Sequence, residues 1–168
     1  MSHITSLQML MHYNAWANMR LFKLLATLDP AEVTRARKTG AGSISGILSH
    51  AYAVDLIWKG HLEHAPHGLT SKHMPSEGGL AALQRKQSDM DDWYIDHVEC
   101  LADQEYDEEV SFTFIDKRPG RMTRGDILHH VVNHKTYHRG YVADILYQMD
   151  LQPPAMDLSV FLNRSTPT

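Results

Sequence analysis

The feature that most restricts the fold of this chain is a set of four long segments whose apolar residues recur at helical spacing. These segments cover residues 5–28, 43–62, 76–101 and 123–149. A helix with an apolar stripe must bury it against a neighbour, and four such helices do so most simply in a bundle. We therefore predict an all-α four-helix bundle, formed as one domain over residues 3–163.

Polar residues suited to begin a helix stand before three of the segments. Ser43 and Ser76 are predicted N-caps, because a serine hydroxyl accepts a hydrogen bond from a free backbone N–H. Thr123 is expected to open the last helix, with Asp126 three residues later in a pattern close to a capping box. The pair 78–79 is Gly-Gly, which weakens the first turn of the third helix and leaves its start less defined.

The stretch before the last helix has a different pattern. Val110, Phe112 and Phe114 alternate with smaller or polar residues, as in a strand with one buried face. The following Arg-Pro-Gly at 118–120 is typical of a turn. A short extended or hairpin insert is predicted there.

The first helix has apolar side chains on a second side. Tyr13, Trp16 and Met19 project away from its main stripe. A monomer rarely leaves such a patch exposed, so we expect a covering surface and a homodimer. After the prolines at 153–154, residues 158–162 are expected to form a short tail that lies against the bundle.

Charge, cysteine content and hydropathy argue against several classes of protein. The net charge of −4 disfavours a nucleic-acid partner, and the basic residues within 117–124 are interpreted as a solvated turn. Cys100 is the single cysteine, so neither an intrachain disulfide nor a thiolate-rich zinc site can form. The sequence shows neither an apolar run of about 18 residues nor a secretory leader. We expect no membrane association and a cytoplasmic location.

Histidine is over-represented, with twelve residues, and it is the commonest protein ligand for metals. His134 and His138 are four apart on the apolar stripe of the last helix, which places both imidazoles on one face. Two interpretations stay open: a pair of core histidines bonded to carbonyls or carboxylates, or two ligands of one metal. A metal reading needs a third ligand from a neighbouring helix. His50 in the second helix is the leading candidate, with His97 and His12 as its competitors.

Other polar residues near these positions have weaker predicted roles. His130 flanks the stripe and is expected to support a ligand or lie at the surface, whereas His129 points to the opposite face. The loop histidines could trap a metal adventitiously, and they are His61, His64, His67 and His73. Asp55 is expected in a salt bridge. Asn14 and Asn18 either support the site or bond across helices.

Residues on the last helix next to the histidine pair also carry predictions. Tyr137 and Arg139 are expected to face away from the ligands and stabilise a neighbouring helix. Gly140 is expected to permit a close helix approach. Tyr141 falls on the apolar stripe of the helix.

Four stretches carry a resemblance to a known family. They read YNAWAN at 13–18, ILSHAYAVDLIW at 47–58, NHKTYHRGYVADIL at 133–146 and PPAMDLSVFL at 153–162. Together they resemble the DinB-like family of metal-binding four-helix bundles. The resemblance implies that the second-helix histidine and the two last-helix histidines bind a divalent metal. Many relatives carry glutamine where this chain has Tyr141.

The resemblance implies that the metal ligands are His50, His134 and His138. Three neutral imidazoles leave the ion its full charge and an open position, as in catalytic zinc sites. Some relatives use low-molecular-weight thiols such as bacillithiol or mycothiol. We expect an enzyme in which the ion activates a thiol or water toward a small electrophile. The alternative is a non-catalytic metal-binding or stress-response module, because neither ligand helix shows an obvious carboxylate base.

Imidazole ligands restrict the identity of the metal ion only in part. Imidazole suits zinc or nickel, which are the first expectations, and iron and manganese are also compatible. Protons compete for the same lone pairs, so metal affinity is expected to fall as pH drops below about 6.5, the ordinary histidine pKa.

Overall fold

A computed structural model describes residues 3–74 and 78–163 of the chain. The helices within these residues are α1 (His3–Leu25), α2 (Pro30–Thr34), α3 (Ile44–Leu62), α4 (Gly79–Cys100), α5 (Arg124–Gln148) and α6 (Leu158–Asn163). A 3-10 helix (Asp103–Asp107) follows α4, and the strands β1 (Glu109–Thr113) and β2 (Pro119–Thr123) precede α5.

The four long helices form the bundle that the apolar periodicity predicts. Helix α1 packs against α4 and α5, and α3 packs against α5 and α4. The core lies between them in two clusters, one around Trp58 and Tyr94 and the other around Ile44 and Ile145. The predicted all-α four-helix bundle is confirmed. That the bundle forms one domain over residues 3–163 stays a prediction.

Two of the predicted helix starts are confirmed at the level of single hydrogen bonds. The Ser43 hydroxyl accepts from the backbone N–H of Gly46 at 3.0 Å, and the Thr123 hydroxyl accepts from that of Asp126 at 3.1 Å. Ser76 lies outside the described residues. Helix α4 begins at Gly79, directly after Gly78 in the left-handed conformation with φ of 79°. The absent Cβ makes that backbone conformation accessible.

The predicted hairpin is present, but its turn lies earlier in the sequence than the predicted turn at 118–120. Strands β1 and β2 pair antiparallel, and Pro119 and Gly120 lie in β2 opposite Thr113 and Phe112. The turn occupies residues 114–118, where the Phe114 N–H donates to the Arg118 carbonyl at 2.9 Å. Proline fits here because it stands at the first position of a strand in a two-stranded ribbon.

The basic residues at 117–124 were predicted to form a solvated turn, but one of them is buried. Arg118 pairs with Asp116 and Arg121 pairs with Glu109, both at the surface. Arg124 instead is buried, and it donates to the Leu62 carbonyl at 3.3 Å. This arginine is therefore part of the junction between the hairpin and the end of α3.

The second apolar side of α1 is covered by the chain's own C-terminal tail. Tyr13 is buried and donates through its hydroxyl to the Met156 carbonyl at 2.9 Å. The Phe161 ring of α6 lies 5.9 Å from the Tyr13 ring and 5.5 Å from the Trp16 ring. The expected packing of the tail is confirmed, and much of the patch that suggested a homodimer is occupied. The homodimer itself stays a prediction.

Across residues 3–74 and 78–163, none of the helices combines the length and the apolar character needed to cross a lipid bilayer.

Candidate metal centre

The packing of α3 against α5 brings together the three histidines that the sequence singles out. His50 lies within α3, and His134 and His138 lie one turn apart on the facing side of α5. One ring nitrogen from each residue lies within 4.8 Å of the other two, an arrangement that could hold a metal ion. It is the one cluster of three or more metal-ligating side chains found among the described residues.

The spacing of the α5 pair suits a shared ion. The Nε2 atoms of His134 and His138 are 3.1 Å apart. Two nitrogens bound tetrahedrally to zinc at about 2.0–2.1 Å would be separated by about 3.3 Å. The pair therefore needs almost no movement to bind one ion.

The orientation of the third ring is fixed by a backbone carbonyl. The Nδ1 of His50 lies 3.0 Å from the Lys72 carbonyl oxygen. Because a carbonyl only accepts hydrogen bonds, Nδ1 carries the proton and Nε2 presents a free lone pair. Hydrogen bonds of this kind commonly orient metal-binding histidines.

Burial keeps the three rings in the neutral form that a metal requires. It lowers the pKa of His134 to about 3, with nearby His138 adding to the effect. It lowers the pKa of His138 to about 4, with His50 as the next cause. The pKa of His50 is also lowered by burial, and its bond to Lys72 opposes the shift. Protons are therefore expected to compete with a metal for His134 and His138 only at a pH below the ordinary histidine pKa.

Among the described residues, the His134 and His138 rings have none of the carbonyl or carboxylate bonds expected of an ordinary core histidine pair. The Nδ1 atoms of His134 and His138 are buried without a hydrogen-bond partner among the described residues. The Nε2 atoms face each other rather than a carbonyl or carboxylate. Two Nε2 atoms that face each other at 3.1 Å can both bind one ion, so the arrangement fits a shared metal. Metal binding by these three residues stays a prediction.

Two cavities open beside the cluster, one on each side of His50. The first encloses about 200 Å³ and includes His138 together with the Tyr137 and Tyr141 side chains. The second encloses about 170 Å³ and is largely aromatic and apolar; its walls include Trp58, Phe114, Ile57 and His134. Both sides of the candidate centre therefore have room for a small molecule.

The competing ligand candidates lie elsewhere. The His97 ring stacks on Trp93 at 4.7 Å, and His12 Nε2 lies 2.9 Å from a Glu99 carboxylate oxygen. His129 bonds to the carbonyl of its own helix at Gly125. The two competitors, His97 and His12, therefore have partners away from the cluster, and so does His129.

His130 and the loop histidines have distinct surroundings. The His130 ring lies 5.6 Å from His134 and borders the aromatic cavity, consistent with its predicted place beside a ligand. His61 stacks against Phe112 at 5.1 Å and meets His67 at 5.4 Å. The His73 ring lies 5.4 Å from His50.

A buried polar network beside the cluster was only partly foreseen. Asp55 does form the expected salt bridge, with Lys135 Nζ at 2.7 Å from Asp55 Oδ2. Gln87 on α4 contacts both partners, at 3.1 Å from Asp55 and 2.6 Å from Lys135. Lys135 was not among the residues predicted from the sequence. The signal for it was an aspartate on an apolar helix, which requires a buried cation nearby.

The two asparagines of α1 bond across helices and do not reach the histidines. Arg139 donates to Asn14 Oδ1 at 2.6 Å and to Asn18 Oδ1 at 2.9 Å. Asn18 also donates to both carboxylate oxygens of Asp91 at 3.0 Å. The prediction that Arg139 stabilises a neighbouring helix is confirmed.

Three expectations for α5 were wrong. Tyr137 does not face away from the site: its ring lies 5.3 Å from His138, and its hydroxyl lies 2.5 Å from that of Tyr141. Tyr141 is 41% exposed, although Val142 and Ile145 in the same turn are buried. A Cβ at Gly140 would meet none of the described atoms within 4 Å, so this glycine does not mediate a close approach.

Comparisons with known proteins agree with this architecture. A sequence model of the DinB family matches residues 1–167. The chain is 27% identical to the protein DinB of Bacillus subtilis (strain 168) over 164 residues, which covers 91% of each sequence. The fold is similar to the crystal structure of a DinB-like protein from Bacillus cereus ATCC 10987. The TM-score is 0.63 and the identity 16%, over 83% of this chain and 89% of that one. From the extent of the family match, the chain belongs to the DinB family.

Proposed function

We propose that this protein holds one divalent metal ion on His50, His134 and His138 and uses it to activate a low-molecular-weight thiol or water toward a small electrophile. The observation that carries the proposal is the convergence of three ring nitrogens within 4.8 Å, between two cavities. A purely structural site would have no need of such space on both sides.

The donor set favours particular metals and a particular chemistry. Three neutral imidazoles suit zinc or nickel first, with iron and manganese also compatible. When bound, such an ion keeps its full charge and lowers the pKa of a water or thiol ligand. A reducing compartment keeps a thiol available, so the cytoplasm is the proposed location.

The two cavities differ in the groups that they offer a substrate. The paired hydroxyls of Tyr137 and Tyr141 border the first cavity and can donate hydrogen bonds to a polar molecule. The indole of Trp58 and the ring of Phe114 line the second, which suits the apolar body of an electrophile. The proposed partner is therefore a small-molecule substrate with its thiol.

The test is a turnover screen on protein whose metal content has been measured first. Thiols are paired with small electrophiles, and loss of turnover is expected in a folded His138→Ala protein. The matched control is His129→Ala, because His129 lies on the same helix but bonds only to the Gly125 carbonyl. Equal turnover in the wild type and His138→Ala would contradict catalysis at this centre.

A non-catalytic metal-binding module is the second candidate. Among the described residues, neither cavity has an aspartate or glutamate in its wall to serve as a general base. In that case the ion chiefly joins α3 to α5. Metal-dependent thermal stabilisation without turnover on any thiol and electrophile pair would favour this candidate.

A further inference from the structure

We propose that His73 is a fourth, exchangeable ligand of the metal centre, delivered by the loop that follows α3. This inference rests on the proposed metal site and adds a residue from outside the two ligand helices. It assigns a role to one of the loop histidines and predicts that the centre alternates between a closed and an open state.

The position of the His73 ring supports this role. Its centroid lies 5.4 Å from that of His50, the same separation as between the His50 and His134 rings. His73 also borders the cavity that His138 lines. An imidazole at this distance can bring a ring nitrogen to a shared ion by side-chain rotation.

The loop is tied to the centre by one of the proposed ligands. His50 donates from Nδ1 to the carbonyl of Lys72, the residue immediately before His73. The His73 N–H bonds in turn to the Ser71 hydroxyl at 3.0 Å. The backbone that carries His73 is thus held beside the cluster, whereas its side chain is exposed.

The other loop histidines are placed differently. His61 and His67 pack against each other, and His61 also stacks on Phe112. His64 is exposed at the end of α3 with a positive φ of 52°. Of these four residues, His73 is the one with a ring contact to a member of the cluster.

His73 would exchange more readily than the other three ligands because it stands on a loop rather than on a packed helix. His50, His134 and His138 are fixed on packed helices, but His73 stands on a segment without helix or strand. Exchange is a simple ligand substitution: the bond from the metal to the His73 nitrogen breaks, and a bond to a donor atom of the incoming molecule forms. The oxidation state of the metal does not change. The closed state would protect the ion, and the open state would admit the substrate.

The test uses Co²⁺ alone as the probe, with visible absorption and affinity as the readouts. The visible spectrum of Co²⁺ depends on the identity and the number of its ligands, so replacement of the His73 nitrogen by solvent changes the spectrum. His73→Ala removes the ligand, and His73→Phe keeps an aromatic ring against His50 without a donor nitrogen. The matched control is His64→Asn, since asparagine tolerates the left-handed backbone there.

In both His73 variants we expect a visible spectrum that differs from that of the wild type, a dissociation constant raised about tenfold and faster release of the ion to a chelator. The His64→Asn protein should match the wild type. Wild-type spectra and affinity in His73→Phe would overturn this inference and leave the three-histidine site intact. Failure of the wild type to bind Co²⁺, or full binding by His134→Ala, would overturn the proposed site and this inference together.

Discussion

Lys135 Nζ lies 2.7 Å from Asp55 Oδ2, in an ion pair whose side chains are only 4% and 1% exposed. Asp55 stands on α3 with His50, and Lys135 directly follows His134 on α5. The pair therefore joins the two helices that supply the metal-site histidines. Its cation also opposes protonation of all three, since it lowers the pKa of His50, His134 and His138.

Removing one member of this ion pair should destabilise the fold strongly. Lys135→Met leaves the Asp55 carboxylate buried without its cation, which typically costs about 3–5 kcal/mol. Urea denaturation in the presence of chelator measures the free energy of unfolding without a contribution from metal. The matched control is Arg121→Met at the exposed pair with Glu109, where about 1 kcal/mol or less is expected. Equal losses in the two variants would contradict the assigned role.

Replacing both members of the buried pair should cost less than the two single changes added together. In Asp55→Leu, Lys135→Met both members of the pair are removed together, so the loss caused by the isolated Asp55 carboxylate is relieved. The same denaturation experiment gives the coupling free energy. Strict additivity would show that the two side chains act independently.

Metal content should follow the three histidines. We expect about one ion per chain in the wild type and a sharp loss of affinity in each of His50→Ala, His134→Ala and His138→Ala, because each change removes a ring nitrogen held in place by a packed helix. Elemental analysis after dialysis provides the measurement, with His129→Ala as the control. Full occupancy in His134→Ala would rule out this ligand set.

The affinity of the centre for metal should fall only slightly between pH 7.5 and 5.5. A site of three histidines with ordinary pKa values would lose about a thousandfold in affinity between pH 7.5 and 5.5, since each ring becomes mostly protonated. Burial holds the pKa of His134 at about 3 and that of His138 at about 4, so both stay neutral over this range. His50 alone can contribute, and we expect a loss of about tenfold at most. Competition with a metal-binding indicator at both pH values measures it, and a thousandfold loss would show that the rings are solvated.

The oligomeric state is a separate prediction. Although the tail covers Tyr13 and Trp16, Met19 on α1 is 52% exposed and Tyr147 on α5 is 57% exposed. Such apolar surface favours pairing of two chains. Light scattering should give twice the chain mass of 19.1 kDa. A mass near that of one chain across a wide range of concentration would refute the homodimer.

Features formed by residues close together in the sequence could be predicted from the sequence alone. The caps at Ser43 and Thr123 were predictable because each bond joins residues three apart. The shared face of His134 and His138 follows from helical geometry in the same way. His50 was harder, because its selection over His12 and His97 depends on which helices are neighbours.

Features that depend on contacts between distant segments could not be predicted. Lys135 looks like a solvated residue until Asp55 is placed opposite it. The apolar stripe of α5 continues through Tyr141, but this side chain is exposed whereas Val142 and Ile145 are buried in the core. Tyr13 appeared to need a second molecule, whereas the tail that covers it comes from 143 residues further along the same chain.

The most direct test of the metal centre is a crystal structure of protein loaded with zinc or nickel, with anomalous data collected on both sides of the absorption edge of the metal. We expect one strong anomalous peak, bonded to the Nε2 atoms of His50, His134 and His138 at about 2.0–2.1 Å for zinc. A peak that instead lies between His61 and His67, with no peak at these three residues, would contradict this assignment.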